Sequence, residues 1–417
     1  MDFSYSPRTE EYRQRVLHFM DTYVLPHNQQ WHEEVAAGQY PLALINDLKA
    51  LAHYEGLWNL FLPSLREDQP GERLSNVEYA PVAEIMGRLP WAAEVFNCSA
   101  PDSGNIELLQ LFASEAQTEQ WLNPLLRGEI RSCFAMSEPD VASSDATNMQ
   151  TTIRREGDDY VINGRKWFIS GVGHPNCRVA IVLGESSSNT DEGKHGRHSM
   201  VLVPLDTEGV DIVRDIPIMH HHSPEGHGEM VFRNVRVPAS ALLGEEGAGF
   251  AMAQARLGPG RIHHCMRSIG QCEVALELMR ERAIERRSFG QYLSEYANIS
   301  EWIAHSRMEI DQARLLVLQA AWQIDQHGAS AARTSVSAIK VVVAQLQTRV
   351  LDRAMQVFGA MGLSPDTPLS FLWTWGRAMR VLDGPDEVHL RTVARNEYRL
   401  AREHLGESTL YFPKTLR

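Results

Sequence analysis

Cys133-Phe134-Ala135-Met136-Ser137-Glu138-Pro139-Asp140-Val141-Ala142-Ser143-Ser144-Asp145 is the stretch on which the reading of this chain turns. It begins as an apolar strand and runs into a turn rich in hydroxyls and small side chains. Such a turn presents backbone N–H groups and serine hydroxyls outward, which suits the polar edge of a flat cofactor or a phosphate. An ordinary Ser/Asp-rich turn has the same composition, so spacing alone does not choose between the two.

Downstream of this stretch the chain keeps strand character. Thr151 to Gly164 reads as strand, tight turn, strand, with a second turn at Asn163-Gly164. Val179–Leu183 and Met200–Pro204 are continuous apolar runs, as expected of buried strands, and the polar Gly184 to His198 segment between them reads as a long loop. Upstream, Glu10 to Arg127 is helical: Arg13, Val16, Leu17 and Met20 open an amphipathic stripe, and Pro26, Pro63, Pro70, Pro90 and Pro101 separate short helices. From Phe250 onward helices return and lengthen. Ile303, Ile310, Ala313, Val317, Ala320 and Ile324 mark one, and Val336, Ile339, Val343, Leu346, Val350, Ala354 and Val357 another. Helices this long with sparse loops point to a bundle. A chain of 417 residues exceeds the usual size of a single core, so the α, β, α order is read as three domains, 1–129, 130–245 and 246–417. No strand–GxGxxG–helix unit occurs, which argues against a Rossmann dinucleotide site.

Bulk properties narrow the function. The formal charge of −13, from 53 acidic and 40 basic residues, argues against nucleic acid as a partner. Five cysteines without a CxxC pair favour a reducing compartment over a disulfide framework or zinc site. No apolar run approaches the ~20 residues of a membrane span. The N-terminus has no signal-peptide pattern, and Lys414-Thr415-Leu416-Arg417 is not a peroxisomal address. A cytoplasmic protein is expected.

With its flanks, the opening stretch resembles the flavin-binding signature of the acyl-CoA dehydrogenases. Gly164 to Gly171 is similar to that family's second flavin segment. Phe232–Pro238, Glu285–Gly290 and Gln356–Gly362 continue the resemblance in the right order. It implies an α+β fold: an N-terminal helical domain, a central β-barrel and a C-terminal four-helix bundle. It further implies FAD as cofactor, with Phe134, Met136, Ser137, Phe168 and Ser170 lining the flavin. Phe168 stands where the family commonly has Trp. Arg286, Ser288 and Phe289, with Gln356, Gly359 and Ala360, would reach the FAD of a neighbouring subunit, making a homodimer or homotetramer. Between Pro139 and Asp145 this chain has one more residue than the common pattern. Whether Ser143 or Ser144 faces the substrate therefore stays open; adjacency to Asp145 favours Ser144.

The family's reaction removes a proton from the acyl α-carbon, in a pocket dry enough to raise the pKa of the carboxylate that takes it. Most members carry a Glu-Gly pair near the end of the chain; here the matching run is Arg380-Val381-Leu382-Asp383-Gly384-Pro385-Asp386-Glu387-Val388-His389. The resemblance makes Asp383 the base, with Gly384 and Arg261 beside the substrate. Some relatives place the base before an arginine on the first helix of the last domain, but Arg256 to Arg261 contains no carboxylate. A third reading makes Asp383 or Asp386 only the cap of the following helix. The branch of the family with this Asp-Gly-Pro-Asp-Glu-Val-His run includes animal proteins fused to a kinase-like domain and linked to 4-hydroxyacyl-CoA breakdown; 417 residues leave no room for such a fusion.

Implied partners are an acyl-CoA thioester and an electron-transferring flavoprotein. An oxidase or a flavin monooxygenase of the same fold, and a colourless non-catalytic subunit, are the rival readings. No metal is expected: His220, His221, His222 and His227 lie in a Gly/Pro loop without helical spacing. His263 and His264 read as packing near the substrate pocket, with a direct contact open. Lys194, His195 and Arg197 fit either a CoA phosphate contact or a charged surface loop.

Overall fold

The computed structural model describes residues 4–186 and 196–411. Lys194, His195 and the C-terminal Lys414–Arg417 lie outside the described residues.

Helices open the chain: α1 (Pro7–Phe19), α2 (Asn28–Ala36), α3 (Leu42–Tyr54), α4 (Asn76–Gly87) and α5 (Asp102–Phe112), with shorter turns between them. Local chemistry sets their starts. Ser6 accepts the Thr9 N–H at 3.1 Å to cap α1. At α4, Ser75 and Glu78 exchange side-chain-to-backbone bonds in a capping box, which satisfies amide donors that a helix start leaves free.

The middle of the chain is an eight-stranded sheet: β1 (Arg131–Ala135), β2 (Thr152–Glu156), β3 (Asp159–Ser170), β4 (Cys177–Glu185), β5 (His198–Pro204), β6 (Val210–Asp215), β7 (His227–Pro238) and β8 (Leu242–Leu243). The order is β6-β7-β3-β2-β4-β5-β8, with β1 parallel to β4. Strand β4 shows why its run is apolar throughout. Ala180 and Val182 enter the sheet's own core, whereas Val179, Ile181 and Leu183 join the helical core on the opposite face.

The second turn expected at Asn163-Gly164 is not formed; β3 runs straight through it with a register shift opposite β7. A Cβ on Gly164 would lie 2.4 Å from the Thr151 hydroxyl, so glycine serves close strand approach there. Asn163 accepts the Asn234 N–H at 2.8 Å and ties β3 to β7.

The last region holds α6 (Gly249–Glu285), a two-stranded hairpin β9 (Arg287–Ser288) and β10 (Gln291–Tyr292), α7 (Ala297–Ala331), α8 (Arg333–Phe358), α9 (Leu369–Met379) and α10 (Asp386–Glu403). Helices α6, α7 and α8 pack on one another, and α10 lies along α8. Both expected apolar stripes are buried: Ile310, Val317 and Ile324 on α7, and Val336, Ile339, Val343 and Val350 on α8. Helix α4 approaches α6 backbone to backbone. A Cβ on Gly270 would meet the Glu84 carbonyl oxygen at 2.1 Å, and one on Gly87 the Arg267 Cα at 2.3 Å.

Candidate active site

Asp383 sits in the short turn joining α9 to α10. Its φ of 52° is left-handed, a conformation that costs a non-glycine residue and must be held by its surroundings. Three side-chain donors hold it by the main chain: Arg261 Nε and Nη2 donate to the Asp383 carbonyl oxygen at 3.3 and 3.1 Å, and His389 Nε2 lies 3.2 Å from the same oxygen. A Cβ on Gly384 would come within 2.8 Å of His389 Nε2, so the residue after Asp383 has to be small. Arg261, expected beside the substrate, thus spends its guanidinium on the turn.

The Asp383 carboxylate does not cap α10. That helix is preceded by Pro385 and has no side-chain cap, and Asp386 is buried against Arg380 Nε at 2.8 Å. Instead Asp383 Oδ2 lies 3.2 Å from His264 Nε2. Burial pushes the carboxyl pKa up, but the His264 contact and the Arg256 and Arg261 guanidinium groups outweigh it, and the group is held well below the ordinary carboxylate range. This reverses the expectation of a raised pKa: positive charge outweighs burial. Burial in turn lowers the His264 pKa, against the pull of Asp383.

Arg256, Arg261, His264 and Arg267 all project from α6, and its tight seat on α4 and α8 fixes them. Arg256 stacks its guanidinium on the Phe134 ring at 4.2 Å and donates to Asn105 Oδ1 at 3.0 Å. One helix therefore connects the start of the serine-rich stretch to the Asp383 turn. Next to Asp383 opens a cavity of about 160 Å³, walled by Trp31, Trp91, Phe371, Trp375 and Met379, with His264 and Leu382 also on its lining. Glu94, Arg131, Glu225 and Arg267 share the lining, so the cavity has an aromatic side and a charged side.

The serine-rich turn is locked from beneath. Lys166 on β3 is wholly buried and donates to the Met136 carbonyl and to Glu138 Oε1, both at 2.8 Å. Glu138 also takes the Gln150 and Thr151 N–H groups at 2.7 and 2.9 Å. Ser143 closes the turn on itself, accepting the Glu138 N–H at 2.9 Å and donating to the Glu138 carbonyl. Ser144 is exposed. Phe134, Met136 and Ser137 are half-buried above this lock, and Phe168 is 44% exposed at a φ of 51°. Ser170 meets His227 Nδ1 at 3.0 Å. An apolar ring left open beside hydroxyls fits a planar cofactor with a polar edge.

Arg286, Ser288 and Phe289 lie elsewhere, at the far end of α6, about 33 Å from His264 along the axis at ~1.5 Å per residue. The Phe289-Gly290 turn has positive φ at both residues, 51° and 86°, as a tight two-residue hairpin requires. Phe289 at its tip is 99% exposed. Gln356, Gly359 and Ala360 form an exposed edge where α8 ends, near the same end of α6 because Arg282 covers the Phe358 ring at 5.3 Å. Gly359, at φ 63°, has open space where a Cβ would point.

The histidines of the loop before β7 take separate partners. His222 pairs with Asp215 at 2.8 Å, His221 packs on Phe371, and His227 joins Ser170 and the Trp375 ring. His263 packs between Tyr79 and Phe61. Sequence reading did not assign Arg256 and Arg267 to the site, and left His264 open. The available signal was the polar stripe Arg261, His264, Arg267 and Gln271 at helical spacing on α6.

Comparison with known proteins agrees with this geometry. The chain matches the acyl-CoA dehydrogenase N-terminal domain over residues 6–129, the middle domain over 133–235 and the C-terminal domain over 247–398. It is 52% identical over 408 residues to a Mycobacterium tuberculosis protein named acyl-CoA dehydrogenase FadE2, covering 97% of this chain and 98% of that one. Acyl-CoA dehydrogenase family member 11 of Rattus norvegicus is 46% identical over 95% of this chain, which spans 51% of that relative's length. Among solved structures, butyryl-CoA dehydrogenase from Megasphaera elsdenii superposes with a TM-score of 0.81 at 27% identity, over 96% of this chain and all of the other. Three matched domains in order, with more than half of the residues shared with a full-length relative, settle the assignment: the chain belongs to the acyl-CoA dehydrogenase family.

Proposed function

We propose that the protein binds FAD and catalyses α,β-dehydrogenation of an acyl-CoA thioester, with Asp383 as the base. The observation that carries this reading is the Asp383 carboxylate, 3.2 Å from His264 Nε2 on the lining of a cavity with aromatic walls, on the same helix whose Arg256 stacks on the Phe134 face. Phe134, Met136, Ser137, Phe168 and Ser170 would hold the flavin ring. The chemistry that FAD supplies when bound is acceptance of the β-hydrogen with its electron pair. Asp383 takes the α-proton onto its carboxylate; Arg261 and His389 keep its backbone in the strained turn that aims it. The cavity's aromatic walls take up the acyl chain and exclude water, which lengthens the reach of every charge around Asp383. Ser144 is the substrate-facing serine, since Ser143 is committed to Glu138.

Arg286, Ser288, Phe289, Gln356, Gly359 and Ala360 would complete the FAD site of a second subunit, so the active form is a homodimer or homotetramer. Exposed Met308, Leu315 and Trp322, spaced by sevens on α7, give the bundle an apolar outer stripe of the kind buried between subunits. Electrons would pass to an electron-transferring flavoprotein, within fatty acid metabolism. The five cysteines are all unpaired and buried, which suits the cytoplasm. Among the described residues no helix is long and apolar enough to cross a membrane.

The test is anaerobic mixing of the purified protein with straight, branched and 4-hydroxy acyl-CoA thioesters. Bleaching of a yellow protein, followed by fast reoxidation with electron-transferring flavoprotein and slow reoxidation with oxygen, is the expected result. A colourless protein, or bleaching by none of the thioesters, overturns the proposal; fast reoxidation by oxygen makes it an oxidase.

A further inference from the structure

His264 stands between two groups that define its state. Its Nε2 faces Asp383 Oδ2 at 3.2 Å, and its Nδ1 faces Arg267 Nη2 at 3.2 Å. A guanidinium can only donate, so Nδ1 is the acceptor and the ring proton sits on Nε2, where it donates to the carboxylate. Arg267 is itself held. Its Nη1 donates to the Cys98 carbonyl at 3.3 Å, and its Cα faces Gly87 so closely that α4 has no room for a side chain there. The order therefore runs from an α4–α6 backbone contact through Arg267 and His264 to Asp383. His264 Nε2 thus approaches the carboxylate at Oδ2.

We infer that His264 and Arg267 are positioning residues: Arg267 fixes the imidazole tautomer, and the His264 Nε2–H orients the Asp383 carboxylate for proton removal. The inference rests on the reading of Asp383 as the base. Other charged and titratable groups face the carboxylate as well. Arg256, Arg261 and Cys265 come from α6, Lys340 from α8 and His389 from α10. Of these, the cations act through space or on the main chain, whereas His264 Nε2 stands 3.2 Å from the carboxylate itself.

Two measurements test this. Imidazole ¹⁵N spectra, with His264→Phe identifying the resonance, should show His264 protonated on Nε2 and bare on Nδ1 across neutral pH. A proton on Nδ1, or a doubly protonated ring at neutral pH, overturns the inference whatever the enzyme does. In the pH profile of flavin reduction, His264→Phe keeps a ring but removes the donor. With the profile carried below pH 5, where the wild-type limb lies, the loss should raise that limb by about one to two pH units, the worth of one hydrogen bond to a charged group. His264→Gln, which restores an N–H near the Nε2 position, should bring the limb back towards wild type. Equal loss in both variants with an unmoved limb means that His264 only packs. Should His264→Phe not fold, the His264→Gln profile and the wild-type spectra at neutral and mildly alkaline pH still decide. If Asp383→Asn reduces flavin like wild type, the base assignment fails; the tautomer result stands apart from that outcome.

Discussion

Replacing Lys166 by Met probes the foundation of the cofactor face. Lys166 has no exposed surface and Glu138 only 4%, and their 2.8 Å contact is the lysine's link to a counter-charge. Burial lowers the lysine pKa to about 8, against the pull of Glu138, so at neutral pH the pair is still ionic. Lys166→Met removes the cation, leaves Glu138 buried and charged, and strands the Met136 carbonyl. Breaking one side of a buried pair costs about 3–5 kcal/mol. The Gln150 and Thr151 N–H groups still hold Glu138, which puts the loss near the lower figure. At ~2–4 °C per kcal/mol for a chain of several hundred residues, Tm should fall by about 6–12 °C. FAD should dissociate more readily, because the turn bearing Phe134 to Ser137 loses its support. Adding Glu138→Gln removes the stranded charge and should recover part of the loss. Scanning calorimetry, with flavin released on dialysis as a second readout, gives the answer. A Lys166→Met protein that melts within about 2 °C of wild type, the scale of a neutral surface change, refutes the reasoning.

Other outcomes follow from the same geometry. Glu107 is buried, and burial raises its pKa to about 8 against the pull of Arg256, so the folded state resists its ionisation. Its cost to stability therefore grows from about pH 4.5 to pH 8, and Glu107→Gln should gain Tm over wild type across that window; a pH-independent difference contradicts this. Gly270→Ala forces a methyl against the Glu84 carbonyl and should cost about 1–3 kcal/mol by denaturant unfolding. The Asp383 pKa is depressed, so the carboxylate is ionised above the ordinary range, and wild-type flavin reduction should show no acid limb from it between about pH 5 and 8. A limb in that window that vanishes in no variant except one at Asp383 contradicts the depressed value. Phe289→Ser should weaken subunit association, or FAD retention at the shared site, while leaving the monomer's Tm nearly unchanged; sedimentation with flavin quantification reads both.

Much of the fold was legible because apolar spacing is a local property. The α7 and α8 stripes lie where their residues place them, and β4 was readable as a buried strand from its uninterrupted apolar run. Asn163-Gly164 misled because the pair that makes hairpin turns also lets a strand pass close to a neighbour, and only the position of Thr151 separates the two. Asp383 was legible from its motif, but not its charge state. That depends on Arg256, Arg261 and His264, more than a hundred residues earlier, arriving beside it when α6 packs under the α9–α10 turn. His264 and His263 are neighbours in sequence, and the helix sends them to opposite fates: one faces the carboxylate, the other packs between aromatic rings.

Asp383→Asn tests the central claim most directly. The variant keeps the size of the side chain and the Arg261 and His389 bonds to its carbonyl, but cannot accept the α-proton. Mixed anaerobically with an acyl-CoA that bleaches wild type, it should retain FAD and bind the thioester, with flavin reduction slowed by at least about a hundredfold, the scale of losing a general base. Reduction at close to the wild-type rate would show that another group takes the proton.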